Sequence, residues 1–404
     1  MRTFLIGNAP WLGAGALLTF LSSFGQTFLI AVFSGEIRAE FGLSHGAWGA
    51  IYTLGTGASA LVMLWAGGLA DRYRSRNLGA FVLAGLACAT LAMAINPFAW
   101  LLPVLIFALR FCGQGMLSHI AVVSMSRWFV ATRGKALAVA GLGFSFAEAL
   151  LPLTFVAAFA FLDWRWLWVL AALVCLGSIP VLRHLLRTER TPQSMATEGS
   201  ATGMGGRHWQ RSEVWRHWLF WAMVPALLGP PAFITAFFFQ QVPFAEAKGW
   251  SHFGLVSLFP IYPAVSLISM LISGWLLDKL GTGRLIQWHQ LPLAAAFALH
   301  GAVTGLDGAM LALVLMGIAQ GANATLPAAF WAEFYGTRHM GSIKALATAI
   351  MVAGSALGPG ITGFLLDAGI PLDTQFGLIA VYFIVVTGMM AVAVGRAETV
   401  RKAG

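Results

Sequence analysis

Charge is what this sequence has least of. Only 10% of its 404 residues are Asp, Glu, Lys or Arg, against about 25% in a soluble globular chain. Cysteine is scarce as well. Cys88, Cys112 and Cys175 each sit inside an apolar run, so there is no disulfide framework and no CxxC metal spacing. No Walker A sequence is present, which excludes a P-loop ATPase as the energy source. No Ser-His-Asp or HExxH arrangement points to hydrolysis. The expectation is a protein that is not an enzyme and carries no cofactor.

What is present is apolar. Hydrophobic residues make up 59% of the chain, with 30 Phe and 16 Trp, and the mean hydropathy is +0.80. A soluble core cannot bury this much, so the solvent is lipid. The net charge of +9 recurs between apolar runs rather than gathering on one domain, which argues for membrane topology and against nucleic acid. The first apolar run, from Trp11, is too long for a signal peptide and long enough to span.

Twelve runs can cross roughly 30 Å of hydrocarbon as helices: 11–34, 46–69, 78–95, 99–126, 135–160, 165–186, 216–241, 253–277, 285–304, 308–333, 342–367 and 373–396. They are called helices 1 to 12. Residues 187–215 are polar, basic and rich in Gly, Ser and Thr, and read as a linker between six-helix bundles at 1–186 and 216–404. Of the 24 Lys and Arg, only Arg38, Arg165 and Lys248 fall on one side, and Arg110 falls inside a helix. The rest share the side of both termini, which the positive-inside rule makes cytoplasmic.

The two bundles echo one another. Gly67-x-x-x-Asp71-Arg72 after helix 2 returns as Gly274-x-x-x-Asp278-Lys279 after helix 8, Gln114-Gly115 returns as Gln320-Gly321, and Lys135-Ala-Leu-Ala returns as Lys344-Ala-Leu-Ala. The offsets are 207, 206 and 209 residues. The pattern is a duplicated six-helix unit.

Residues 67–76 read GGLADRYRSR, an acid among three arginines between two apolar runs. Anchoring accounts for Arg72, Arg74 and Arg76, but not for Asp71 or its repeat. The G-x-x-x-D-R-x-x-x-R loop, repeated as G-x-x-x-D-K, resembles the loop signature of the major facilitator superfamily, and the resemblance covers essentially the whole chain. Arg74 stands close to where that family often has Gly. The resemblance implies a charge relay, gating residues Gly67, Asp71, Arg72, Arg76, Gly274, Asp278 and Lys279, with Asp71 reaching Arg72, Arg133 and Lys135. It says nothing of substrate. Helix 5 reads GLGFSFAEALLP and lacks the Gly-Pro pattern of the family's drug antiporters.

Two ionisable residues fall at bilayer depth, where their cost marks functional candidates. Arg110 lies roughly 16 Å into helix 4 and Glu148 roughly 20 Å into helix 5; at matching depth they can pair. On a regular helix, Arg110, Gln114, Leu117, Ser118 and Ala121 form one stripe. Cys112, Met116 and His119 form the opposite one, an alternative soft-metal site. Burying Arg110 against lipid costs more than burying Cys112 and Met116, so the Arg110 face is assigned to the cavity and no metal site is expected. Gln26, Tyr262, Gln320 and Asn323 are further pathway candidates near mid-depth, and Phe233, Phe237, Phe238 and Phe239 form an aromatic wall on helix 7.

The expected function is secondary transport by alternating access. A small organic solute, anionic or with a planar polar ring, would be taken up with protons by a monomer in the bacterial inner membrane. Arg110 would hold the anion and Glu148 the proton. The alternatives are a copper importer on the same fold and a non-transporting sensor or assembly protein. A looser resemblance runs to a branch with riboflavin and copper importers, or to monocarboxylate carriers. Against copper, Met223 pairs with Leu227 and His252 with Val256, where the importers carry a second sulfur ligand.

Overall fold

The computed structural model describes residues 2–129, 132–188, 203–336 and 338–403, without the side chains of 2–3, 71, 133, 278, 340–342, 345 and 400–403. The side chains of Asp71, Asp278 and Arg133, and residues 189–202 of the expected linker, therefore lie outside the described residues. The protein is all-α among the described residues. It divides into two compact units, Met1–Thr197 and Glu198–Gly404.

In the first unit, helix 1 runs in pieces, Ala9–Ser22, Thr27–Ile30 and Ser34–Phe41. Helix 2 is His45–Ala66, helix 3 Ser75–Ile95, helix 5 Arg133–Ala158 and helix 6 Trp164–Leu185. Helix 4 comprises Leu102–Leu109, a π-helical stretch Arg110–Leu117, and Ser118–Trp128. Side-chain oxygens start two of these helices: Ser44 accepts from the Ala47 N–H at 3.1 Å and Asp163 from the Arg165 N–H at 2.9 Å.

In the second unit, helix 7 is Trp218–Phe239 and helix 8 is split into His252–Val256 and Ile261–Leu280. Helix 9 is split into Thr282–Ile286 and Leu291–Ala302; helices 10, 11 and 12 are Leu306–Tyr335, Met340–Asp367 and Leu372–Ala403. Ten helices among the described residues are long and apolar enough to span alone, and the bent pair Ala9–Gly25 and Thr27–Phe41 makes an eleventh. Helix 9 is the twelfth, in two pieces each too short to span. Helices 1, 8 and 9, expected as continuous rods, are thus interrupted. The last part of the expected linker is described, and it packs on the second unit: Trp209 donates to the Met204 carbonyl at 3.1 Å, and Gln210 and Glu213 cap the short helix Arg211–Arg216.

The duplication reappears as packing. Helices 3 and 6, 1 and 5, and 2 and 4 pair extensively in the first unit, and their counterparts 9 and 12, 7 and 11, and 8 and 10 do so in the second. The tightest crossings use glycine. A Cβ at Gly143 of helix 5 would collide with the Ala16 carbonyl, and one at Gly358 of helix 11 with the Ala232 carbonyl.

One end of each unit carries a clasp. Arg165 at the start of helix 6 forms an ion pair with Glu40 at the end of helix 1, and donates to the Ala94 and Asn96 carbonyls at 2.7 and 2.8 Å. Lys248, which ends the short helix Gln241–Ala247 that follows helix 7, pairs with Asp373 of helix 12 at 2.9 Å and donates to the Gly301 carbonyl at 3.3 Å. Glu40 to Lys248 and Arg165 to Asp373 are both offsets of 208. The two clasps are equivalent with their charges exchanged.

A buried guanidinium at a broken helix

Ser22-Ser23-Phe24-Gly25-Gln26 places poor helix formers inside an apolar run. The chain tightens into a 3₁₀ turn at Ser23–Gly25 and extends at Gln26 (ψ 152°), bending helix 1 by 43°. A break at this depth frees carbonyls that lipid cannot satisfy. Arg110 answers one of them: its Nη1 donates to the Gly25 carbonyl at 3.1 Å. Glycines bring the backbones together, since a Cβ at Gly113 of helix 4 would lie 2.6 Å from the Gly25 Cα.

Arg110 is 1% exposed. Its guanidinium lies 5.4 Å from the Tyr52 ring centroid, a cation–π contact, and the Tyr52 hydroxyl is hydrogen-bonded to Thr27 Oγ1. Its Nε has no hydrogen-bond partner among the described residues. A cation with more donors than acceptors is an incomplete anion site, because each unmade bond to a buried charged group is costly.

The Arg110–Glu148 pairing that their matching depth allows is not made in this structure. Glu148 is half-buried and makes no hydrogen bond or ion pair among the described residues. It lies on helix 5 between Phe146, which packs on Phe20, and Phe155, which packs on Phe24. That is the level of the helix 1 break. Pro152 lacks the N–H that would bond the Glu148 carbonyl, so the backbone is loosened at the same residue. Gln26 and Gln114 are half-buried, at the break and in the π-helical stretch respectively.

The regular stripe expected for helix 4 also needs correction, because a π stretch carries more residues per turn and re-aims the side chains. Cys112 faces helix 3, its Sγ 3.3 Å from where a Cβ would stand on Gly85, and His119 Nε2 pairs with the Gly67 carbonyl of helix 2 at 3.0 Å. Met116 is buried. The soft-metal stripe therefore diverges toward two neighbours.

The GGLADRYRSR turn is held from helix 4. Besides His119 on Gly67, Arg127 donates to the Ala70 carbonyl at 3.1 Å, and the Ser75 and Ser124 hydroxyls meet at 2.7 Å. Arg72 is exposed and Arg76 half-buried. In the repeat, helix 8 continues unbroken through Gly274, and Lys279 lies 3.9 Å from the Trp275 ring centroid.

The second unit holds the remaining candidates in a neutral setting. Tyr262 is buried with its ring 5.2 Å from Phe238, while Gln320 and Asn323 are half-buried on helix 10. The Gln114–Gln320 offset makes Met316 the counterpart of Arg110, and the Pro152–Pro359 offset of 207 makes Ser355 the counterpart of Glu148. Two polar clusters there escaped the sequence reading. Gln290 donates to the Ala226 carbonyl at 2.6 Å, replacing the N–H that Pro230 lacks. His300 stacks 4.3 Å from Phe237, and neither ring nitrogen has a hydrogen-bond partner among the described residues. A proline inside helix 7 implies a substitute donor for the carbonyl four residues earlier, but not its source.

The sequence profile of the Major Facilitator Superfamily matches residues 15–359, and the chain belongs to that family. Solved transporters share the fold. A bacterial homologue of the human lysosomal transporter Spinster is 16% identical with a TM-score of 0.72, covering 98% of each chain. The nucleoside transporter NupG is 14% identical with a TM-score of 0.72, covering 95% of this chain and 98% of its own. No curated protein sequence matches. The chain is a multi-pass membrane transporter with a small-molecule substrate.

Proposed function

We propose that this protein takes up a small organic solute, anionic or bearing a planar polar ring, together with protons, and that Arg110 is the group that holds it. One observation carries the reading: a fully buried guanidinium beside a broken helix, with no partner for its Nε and no ion pair to a carboxylate among the described residues. Gln26 at the helix break and Gln114 in the π-helical stretch carry half-buried amide groups that suit a polar ring. Glu148 serves as the proton carrier, an acid in the apolar layer at the level of the break, in keeping with the acidic relays of membrane carriers. Gly67, Asp71, Arg72 and Arg76, with Gly274, Asp278 and Lys279, act as the gate. The two six-helix bundles at 1–186 and 216–404 supply alternating access. The protein works as a monomer in a bacterial inner membrane with both termini cytoplasmic.

The test is uptake into proteoliposomes of labelled carboxylates, nucleosides and ring-containing vitamins, with an inward proton gradient. One of these solutes accumulates in the wild type, and Arg110→Ala abolishes its uptake while the protein stays monodisperse. If Arg110→Ala transports normally and Cys112→Ser with Met116→Leu does not, the assignment is wrong and a soft metal is the substrate.

A further inference from the structure

We propose that a groove on the second unit binds an anionic glycerophospholipid of the adjacent leaflet. A cavity of about 430 Å³ runs between the start of helix 7 and the end of helix 12. Ala222 and Gly388 keep its floor low, and Met389 and Val392 wall it, 43% and 57% exposed. Soluble anions have no use for such a lining. An acyl chain does, since each buried CH₂ contributes about 0.8 kcal/mol.

The rim is different. Arg396 closes the groove at the end of helix 12 and Trp218 at the start of helix 7. Arg396 is exposed and makes no ion pair or hydrogen bond among the described residues, and the Trp218 indole N–H is likewise unbonded. Trp218 is 47% exposed beside Trp215 and Trp221, which also stand half out of the unit. Tryptophans of this kind mark headgroup level. A cation and an N–H donor at that level complement a lipid phosphate. From Gly388 to Arg396 helix 12 rises roughly 12 Å, close to the ~15 Å of one hydrocarbon leaflet. A phosphate at Arg396 therefore leaves its chain lying along the groove.

Native mass spectrometry of the full chain in detergent tests this, with phosphatidylglycerol or phosphatidylcholine of identical chains added. The wild type retains phosphatidylglycerol in preference to phosphatidylcholine. Arg396→Gln lowers phosphatidylglycerol retention about fivefold, the factor expected for one basic side chain at an anionic surface; Arg396→Lys keeps it. Gly388→Trp fills the groove and removes the retained lipid. Should Arg396→Gln melt early, Trp218→Phe, which deletes only the rim N–H and part of the ring, reads the same preference. Equal retention of the two lipids by the wild type, or unchanged retention in Arg396→Gln, overturns the proposal. So does a dimer that Gly388→Trp dissociates, which would make the groove a contact between copies.

Discussion

Replacing Arg110 by Met separates a functional cation from a structural strut. The duplicated unit already carries the experiment in its own sequence, with Met316 fully buried at the corresponding place. An arginine at the middle of a membrane helix costs about 2.5–3.5 kcal/mol on insertion scales, which Arg110→Met relieves. The change strips the Gly25 carbonyl of its donor, costing about 1–3 kcal/mol for a buried acceptor left unpaired. The cation–π contact with Tyr52 adds another ~0.5–2 kcal/mol to the loss. The terms nearly cancel, and buried ionic groups exchanged for apolar ones of similar size are often neutral or stabilising. The first unit, 197 residues long, would shift by about 2–4 °C per kcal/mol. The expected result is a melting temperature in detergent within about 4 °C of wild type and complete loss of uptake. A fall well beyond that, with uptake and melting lost together, would show that Arg110 holds helix 1 to helix 4 and does nothing else.

Glu148→Gln should preserve substrate exchange between preloaded vesicles while abolishing accumulation driven by a proton gradient; gradient-driven accumulation at the wild-type level removes Glu148 from the proton path. Gln290→Ala should destabilise the second unit by about 1–3 kcal/mol by orphaning the Ala226 carbonyl. In a Pro230→Ala background the restored backbone N–H takes over, so the double-mutant cycle should show coupling of about 1 kcal/mol or more, and additivity would sink the account. Lys248→Glu sets two acids together and should lower the melting temperature by a few degrees, roughly 1 kcal/mol for a partly exposed pair. Adding Asp373→Arg, which copies the polarity of Glu40 and Arg165, should recover it, and a double variant no better than the single one would deny the equivalence of the clasps. Asp71→Asn should slow transport while substrate binding, followed by ligand-induced melting shifts, stays near normal; unaltered kinetics would reduce the GGLADRYRSR turn to an anchor.

The sequence made the membrane class and the duplication readable for a simple reason. Apolar run length and charge placement are enforced along the whole chain by lipid, so they survive in composition alone. Arg110 and Glu148 stood out on the same ground, since a charge in a greasy run has few explanations. Their partners did not. Arg110 turns to a backbone carbonyl and an aromatic face, and neither choice leaves a mark in residue identity. The π-helical stretch from Arg110 to Leu117 has no composition of its own, so a stripe drawn with regular periodicity set Cys112 and His119 on one face, where the structure turns them to different helices. The break in helix 1 was foreshadowed by Ser22, Ser23 and Gly25. The splits in helices 8 and 9 fall at Ser257–Pro260 and at Gln287–Gln290, and only the first carries a proline. The shared apolar lengths hid both.

The exchanged clasps bear on how a chain made of two near-copies tells them apart while it is being made. Each unit folds from six helices inserted one after another, and the chief hazard is that an element of one copy docks into the other. Helices 6 and 12 begin alike, and helices 1 and 7 end alike. Had both clasps kept the same polarity, a misplaced helix would still have found a favourable ion pair. With polarity reversed, helix 6 seated against the end of helix 7 sets Arg165 beside Lys248, and helix 12 seated against the end of helix 1 sets Asp373 beside Glu40. Both errors place like charges together where partial burial makes repulsion felt, while correct docking within each copy pairs opposite ones. A single inversion of sign thus labels each half as self, at no cost to the packing that the two share.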